Sequence, residues 1–316
     1  MPLNSVEIEY DAKYFNKAIF IIGSGESGTT LLQGLFDGHP NLVVFPVESC
    51  YYQNDFDPIA SKNYKGHKKF LEYWIKESKF SWMAYGRYTE HIIEKQRDFS
   101  AVNFDLFRTI LYSYDFSKHT RLRFYKVLLE AYRQSLGQLV SELVGFVDKT
   151  PVHMFEIEKI RKDFLHARFI HMLRDPFDNY YAYRTNELKL NPELDFTYLL
   201  KKYIERYIAP SFEIADQHRN EYGDYYKVIR YEDLVTNVEE TLGVLTEWAE
   251  VPYHNTLLTV TLCGRPSSGN SSSGEQFQSI SNSRIGHGFK NLTNEERRYI
   301  HKRLGKLPNK FGYLTK

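Results

Sequence analysis

AIFIIGSGESGTTLLQGLF, residues 18–36, runs an apolar segment straight into a glycine loop and then into apolar residues at helical spacing. The run Ala18–Ile22 shows no polar alternation, the pattern of a strand covered on both faces. Leu31, Leu32, Leu35 and Phe36 predict an amphipathic helix behind the loop. Strand, glycine loop and helix in this order open an α/β unit with a buried sheet. The backbone N–H groups of residues 25–30, with the hydroxyls of Ser27, Thr29 and Thr30, then sit at a helix N-terminus and form a cradle suited to a phosphate.

Working outward, His39-Pro40-Asn41 stops that helix and Leu42–Phe45 reads as a second strand ending near Glu48. Tyr64 to Gln96 reads as mostly amphipathic helix, residues 101–120 have no clear period, and Arg121 to Val147 follows a helical pattern broken at Gly137 and Gly145. Ala167–Leu173 is another buried strand, followed by Arg174-Asp175-Pro176. Residues 195–217 look helical, Tyr226–Arg230 is a short strand ending in Tyr231-Glu232-Asp233-Leu234, and Val238–Ala249 is a helix. From Cys263 to Gly288 the chain turns to Gly, Ser, Asn and Arg with few apolar residues, so this segment is either disordered or ordered by a ligand. Thr293-Asn294-Glu295-Glu296 carries a capping signal for a last helix, Glu295–Leu304. No repeat, heptad or linker divides the 316 residues.

Lys and Arg number 41 against 40 Asp and Glu, a formal charge of +1. That balance argues against a nonspecific nucleic-acid or membrane-surface binder. The apolar runs are far too short to span a bilayer. The two Cys, at 50 and 263, suit a reducing compartment, and Glu7, Glu9 and Asp11 argue against a secretory leader. A cytoplasmic protein is expected, with neither nucleic-acid nor membrane partners. No residue cluster has metal-ligand spacing. Aromatic residues make up 16% of the chain, with 25 Tyr and 22 Phe.

Gly23-x-Gly25-x-x-Gly28 matches the dinucleotide fingerprint, and Glu48 follows at about the distance of a ribose-binding acid. An NAD-dependent dehydrogenase is therefore one reading. The phosphate loop GxxxxGK[ST] is met by Gly23 and Gly28 but broken by Thr29, where lysine is needed. A third reading draws on the whole chain. Residues 23–40 (GSGESGTTLLQGLFDGHP), 169–184 (FIHMLRDPFDNYYAYR) and 231–234 (YEDL), with Lys149-Thr150-Pro151, Gly269-Asn270-Ser271 and Ser283-Arg284-Ile285-Gly286, together resemble the sulfotransferase family. The fingerprint reading explains only the first of these.

That resemblance implies an α/β, P-loop nucleotide-kinase-like three-layer sandwich with a central, mostly parallel sheet. It implies one sulfotransferase domain over residues 1–316, with a helical insertion at about 54–145 and a nucleotide-closing segment at about 264–290. The implied reaction moves a sulfuryl group from 3′-phosphoadenosine 5′-phosphosulfate to a hydroxyl or amine of a small-molecule acceptor, without a metal, releasing adenosine 3′,5′-bisphosphate. Gly25, Glu26, Ser27, Gly28, Thr29 and Thr30 would hold the 5′-phosphate. Arg174, Arg284, Ser283 and the N–H of Gly286 would hold the 3′-phosphate, while Tyr231, Asn270 and Ser271 would line the adenosine.

Glu48 is the expected base, with His153, His171 and His287 as alternatives, His287 being nearest a nucleotide motif. Two departures stand out. Glu26 occupies the place of a family Lys or Arg, and Ala182 that of a serine contributing a 3′-phosphate hydrogen bond. Lys149 is the candidate to replace the lost cation, Tyr181 or Tyr183 to replace the lost hydroxyl. Two outcomes stay open, an active transferase or a nucleotide-binding homologue impaired through Glu26 and Ala182. Glu26 and the tyrosines suggest a cationic or aromatic acceptor, its pocket walled by Tyr51, Tyr52, Phe56 and Tyr64 and covered by Tyr85, Tyr88 and His91.

Overall fold

Ala18–Gly23 forms β1, buried along its whole length, at the middle of a five-stranded sheet. The computed structural model describes residues 8–53, 98–118, 120–267 and 280–313. The expected helix at 64–96, the residues Phe56, Tyr64, Tyr85, Tyr88 and His91, and Asn270 and Ser271 lie outside the described residues. The other strands are β2 (Leu42–Val44), β3 (Gly145–Lys149), β4 (Arg168–Leu173) and β5 (Tyr226–Arg230). They stand in the order β2-β3-β1-β4-β5, and all four pairings are parallel. β6 (Thr261–Leu262) and β7 (Arg265–Pro266) form a separate antiparallel pair.

Alternate residues of the strands feed two cores, as the period of two requires. Phe20, Ile22, Phe146 and Phe169 enter one cluster with helix α3 (Arg121–Ser135) and α2 (Phe104–Tyr112). Ile19, Ile21, Val147 and Ile170 enter the other with α1 (Thr29–Phe36). The sheet is thus the middle of three layers, which explains the uninterrupted apolar run in β1. Further along come α4 (Ile157–Asp163), α5 (Pro176–Leu190), α6 (Phe196–Tyr203), α7 (Ala209–Glu221), α8 (Tyr231–Thr236), α9 (Val238–Ala249), α10 (His287–Asn291) and α11 (Asn294–Leu304). A π-helical turn, Ile204–Ile208, joins α6 to α7. Pro210, near the start of α7, lacks the N–H that a regular helix would use there. Helix α11 opens with the expected capping box, Thr293 and Glu296 each binding the other's backbone.

Two sequence expectations are corrected. The helical pattern from Arg121 stops at Ser135, and Gly145–Lys149 is a buried strand between β1 and β2. Tyr51 and Tyr52 do not wall a pocket, because both are buried in the core. Their hydroxyls donate to Arg121 O and Asp163 Oδ2 at 2.6 and 3.1 Å. Tyr14 and Tyr125 are likewise core residues whose hydroxyls reach Glu130 and Asp148. These four tyrosines therefore supply rings to the core with each hydroxyl satisfied. No described helix is long and apolar enough to cross a membrane.

Candidate active site

β1 delivers the loop Ser24–Gly28 at the C-terminal edge of the sheet, and Gly28 caps α1 in the left-handed conformation, φ 88°. A Cβ at Gly28 would lie 2.5 Å from the Tyr231 ring, so the first residue of α8 and the loop touch through a position only glycine can fill. Helix α5 fixes the far side. Asn179 Nδ2 donates to Ser24 Oγ and Gly25 O, both at 3.0 Å. The Tyr203 hydroxyl donates to Gly25 O at 2.7 Å, and Arg174 Nη1 to Glu26 O at 2.9 Å. In planar trans peptides these carbonyls oppose the next N–H, so the N–H groups of Glu26 and Ser27 point away from those partners. Ser27 is buried and its hydroxyl donates to Ser24 O at 2.6 Å, so it braces the loop.

Glu26 takes the left-handed region at φ 58°, and its Oε1 accepts from Asn186 Nδ2 at 2.8 Å. The carboxylate is thus tied to α5. Asn179, Ala182 and Asn186 share one face of that helix, with Ala182 between the two loop contacts. Tyr183 stacks on Tyr203 at 3.6 Å between ring centroids.

The second cluster comes from β2 and β3. These strands are adjacent and parallel, so the chain leaving Val44 passes the end of β3. Lys149, the last residue of β3 and only 1% exposed, donates from Nζ to Glu48 Oε1 at 3.0 Å. A buried ammonium needs such a counter-charge. Beneath this pair Asp148 accepts from the Tyr125 hydroxyl at 2.7 Å and Thr150 Oγ1 at 3.0 Å, with His153 Nδ1 at 3.5 Å. Burial pushes the Asp148 carboxyl up, but the bonds from His153, Ser49 and Tyr125 outweigh it and hold the group below its ordinary range. Thr150 Oγ1 accepts from Cys50 N, and His153 Nε2 from Tyr52 N, each at 3.3 Å. The Lys149-Thr150-Pro151 motif therefore carries the cation and also pins the segment after Glu48.

The alternative bases separate by burial. His153 and His171 are fully buried. His171 binds the Tyr226 and Ser211 hydroxyls, and burial pushes it down to about 3. Both serve the core. His287 is exposed at the start of α10, on the α5 side of the loop.

There Arg174 lies 4.5 Å from the Tyr231 ring centroid. Burial raises the Tyr231 phenol, and the charges of Arg174 and Arg284 oppose that rise, so both cations act on this ring. Arg174 is 8% exposed, and its Nε is buried without a hydrogen-bond partner among the described residues. A guanidinium so placed fits an anionic ligand. One expectation changes here. The Gly286 N–H donates to Asp178 Oδ2 at 2.7 Å, and Gly288 N–H to Asp178 Oδ1 at 2.6 Å. Asp178 thus docks the Ser283–Gly286 segment on α5 and occupies the N–H assigned to phosphate. Ser283, exposed, bonds Ser281. Asp178, Asn179, Asn186 and Tyr203 were missed in sequence. The Asn179/Asn186 spacing of two turns behind Pro176 was the available signal for one pair.

Asp175 caps α5 by accepting from the N–H groups of Phe177 and Asp178. Burial first, then Asp178, pushes its carboxyl up to about 6. A raised carboxyl takes up its proton in the folded state first, so this group withdraws stability as pH rises from about 4 towards that value. Asp175→Asn keeps a capping oxygen and should flatten that part of the stability curve. Thermal midpoints from pH 4 to 7 check it; an unchanged slope would refute the assignment.

A glycine loop after β1, an ion pair at the end of β3 and an arginine over the Tyr231 ring thus stand at the C-terminal edge of a parallel α/β sheet. The profile of the sulfotransferase family matches residues 18–255, and the chain belongs to that family as an enzyme of sulfuryl transfer. The fold is similar to that of the sulfotransferase domain of the Synechococcus PCC 7002 olefin synthase, with a TM-score of 0.60 and 17% identity over 98% of each chain. It is also similar to the sulfotransferase domain of the curacin biosynthetic pathway, with a TM-score of 0.54 and 19% identity over 91% of this chain and 96% of that one. No curated protein matches by sequence. Among the described residues no group of three or more His, Cys, Asp or Glu could hold a metal ion.

Proposed function

We propose that the chain transfers the sulfuryl group of 3′-phosphoadenosine 5′-phosphosulfate to a hydroxyl or amine of a small-molecule acceptor, on a P-loop, nucleotide-kinase-like fold. The observation carrying this reading is the Lys149–Glu48 pair at 3.0 Å, at the sheet edge where β1, whose Ile21 is in register with Lys149, enters the loop. When bound, the donor supplies an activated sulfonate and a phosphate leaving group. Residues 25–30 hold the 5′-phosphate through N–H groups and the Thr29 and Thr30 hydroxyls. Arg174, over the Tyr231 ring, and Arg284, whose charge also acts on that ring, hold the 3′-phosphate. Lys149 stabilises the negative charge that develops in transfer, in place of the cation absent at Glu26. Glu48 takes the acceptor's proton.

The acceptor is a small molecule with a cationic or aromatic portion, met by Glu26 and by the half-buried Tyr183, which Tyr203 backs from the core. The domain comprises residues 1–316, with the insertion at about 54–145 and the closing segment at about 264–290, since strands from residue 18 to residue 230 build one sheet. A cytoplasmic setting is part of this reading.

The test is donor turnover against phenols, alcohols and amines, read as release of adenosine 3′,5′-bisphosphate. Binding of the bisphosphate without turnover of any acceptor would favour the second reading, an impaired nucleotide-binding homologue, for which Glu26 and Ala182 speak. Glu26 itself gives a separate result. Glu26→Gln keeps an oxygen for Asn186 but loses the charge, so kcat/KM for a cationic acceptor should fall about tenfold, matching a charge-assisted contact of 1–2 kcal/mol, with neutral acceptors unchanged. Equal effects on both acceptor types would remove Glu26 from acceptor recognition.

A further inference from the structure

Helix α11 places Asn294, Arg297, Arg298 and His301 on one face, and with Phe177 and Phe289 they line an open groove of about 500 Å³. The opposite side of α11 is already committed. Glu296 is taken by Arg184 at 2.7 and 2.8 Å, while Arg303 binds Glu205 and Glu213 at 2.6 and 2.9 Å. The groove side differs. Arg297 donates to Phe289 O at 2.6 Å and Asn294 Oδ1 at 2.5 Å, which fixes its guanidinium over the Phe289 ring, 4.8 Å from the centroid. No carboxylate pairs with Arg297, Arg298 or His301 among the described residues. Phe177 and Phe289 meet edge to face at 5.6 Å, and Phe289, 36% exposed, leaves apolar surface open beside the cations.

We propose that this groove is a second anion site, separate from the donor loop, for a small ligand carrying a phosphate or sulfate monoester on a flat apolar body. Arg298 and His301 meet the oxyanion, Arg297 flanks it, and the exposed Phe289 ring, backed edge to face by the buried Phe177, takes the organic part. Two sources share this chemistry, a phosphorylated metabolite and the sulfate ester that a sulfotransferase itself produces. The groove also touches the docked segment behind Arg284. Gly288 packs so close to Phe177 that a Cβ would lie 2.2 Å from its carbonyl carbon, and Phe289 follows directly. A bound ligand therefore leans on the contact by which Asp178 holds Gly286 and Gly288.

The chain is saturated with adenosine 3′,5′-bisphosphate to fill the donor site, then titrated by calorimetry with phenyl phosphate, phenyl sulfate and inorganic phosphate. One further equivalent of an aryl ester should bind. The double variant Arg298→Glu, His301→Glu should weaken it at least tenfold while bisphosphate affinity stays within about twofold. Tighter binding of phenyl phosphate assigns the site to phosphorylated metabolites, and tighter binding of phenyl sulfate to the sulfated product. No binding of either ester at millimolar concentration, or equal binding in wild type and variant, overturns the site. Inorganic phosphate binding as tightly as phenyl phosphate removes the role of the rings and with it the proposal. If the bisphosphate fails to bind, the donor assignment falls instead, and the same titrations are read on the ligand-free chain.

Discussion

Lys149→Ala should lower kcat about 10²–10³-fold, the usual cost of removing one preorganised group from developing transition-state charge, while the Kd for adenosine 3′,5′-bisphosphate changes less than about threefold. The split follows from position. Lys149 ends β3, on the side of β1 away from β4, whereas Arg174 follows β4 and meets Tyr231. The bisphosphate lacks the sulfonate, so losing a group that acts there spares its binding. Removal of a buried cation can also disturb the fold, and the thermal midpoint is the control. Glu48 is 28% exposed, so water can solvate it once its partner is gone, and the stability loss should stay within about 1–3 kcal/mol. Lys149→Arg should recover part of the rate, because charge rather than shape is the requirement. Unchanged kcat in Lys149→Ala, or a loss of bisphosphate binding equal to the loss of rate, would remove Lys149 from the transfer step.

How this site could be read from the sequence depended on how locally each part is encoded. Residues 18–36 carry strand, loop and helix in one uninterrupted pattern, and the structure follows it. The capping box at Thr293 is equally local. β3 was not legible, because Gly145–Lys149 includes the buried polar residues Asp148 and Lys149, and no apolar run marks them. Their burial is made possible by partners about a hundred residues away, Glu48 for Lys149 and Ser49 and Cys50 for Thr150. The same distance rule hid the fate of Glu26. Its sequence neighbours suggested a carboxylate repelling the phosphosulfate, yet Asn186 on α5 holds it. In sequence the Gly286 N–H reads as a phosphate donor because Asp178 looks like an ordinary residue of a helix start. Only the fold brings that carboxylate under the two N–H groups.

Glu48→Gln should cost about 10²–10⁴-fold in kcat, the range for loss of a general base, with little change in bisphosphate affinity. The amide keeps an oxygen for Lys149, and the segment that follows stays pinned by Thr150 and His153, so geometry survives while basicity is lost. The diagnostic readout is the pH profile. If Glu48 accepts the proton, the acid limb of kcat in the wild type disappears in Glu48→Gln, since the group whose protonation produced it is gone. A merely structural carboxylate would lower the rate and leave that limb in place. Acceptor acidity gives a second check. An acidic phenol needs less help from a base than an aliphatic alcohol, so the Gln variant should lose most activity with the alcohol and least with the phenol. Wild-type rates in Glu48→Gln at every pH would move the base elsewhere. His287 would then be the next group to replace, because His153 and His171 are buried and bonded within the core.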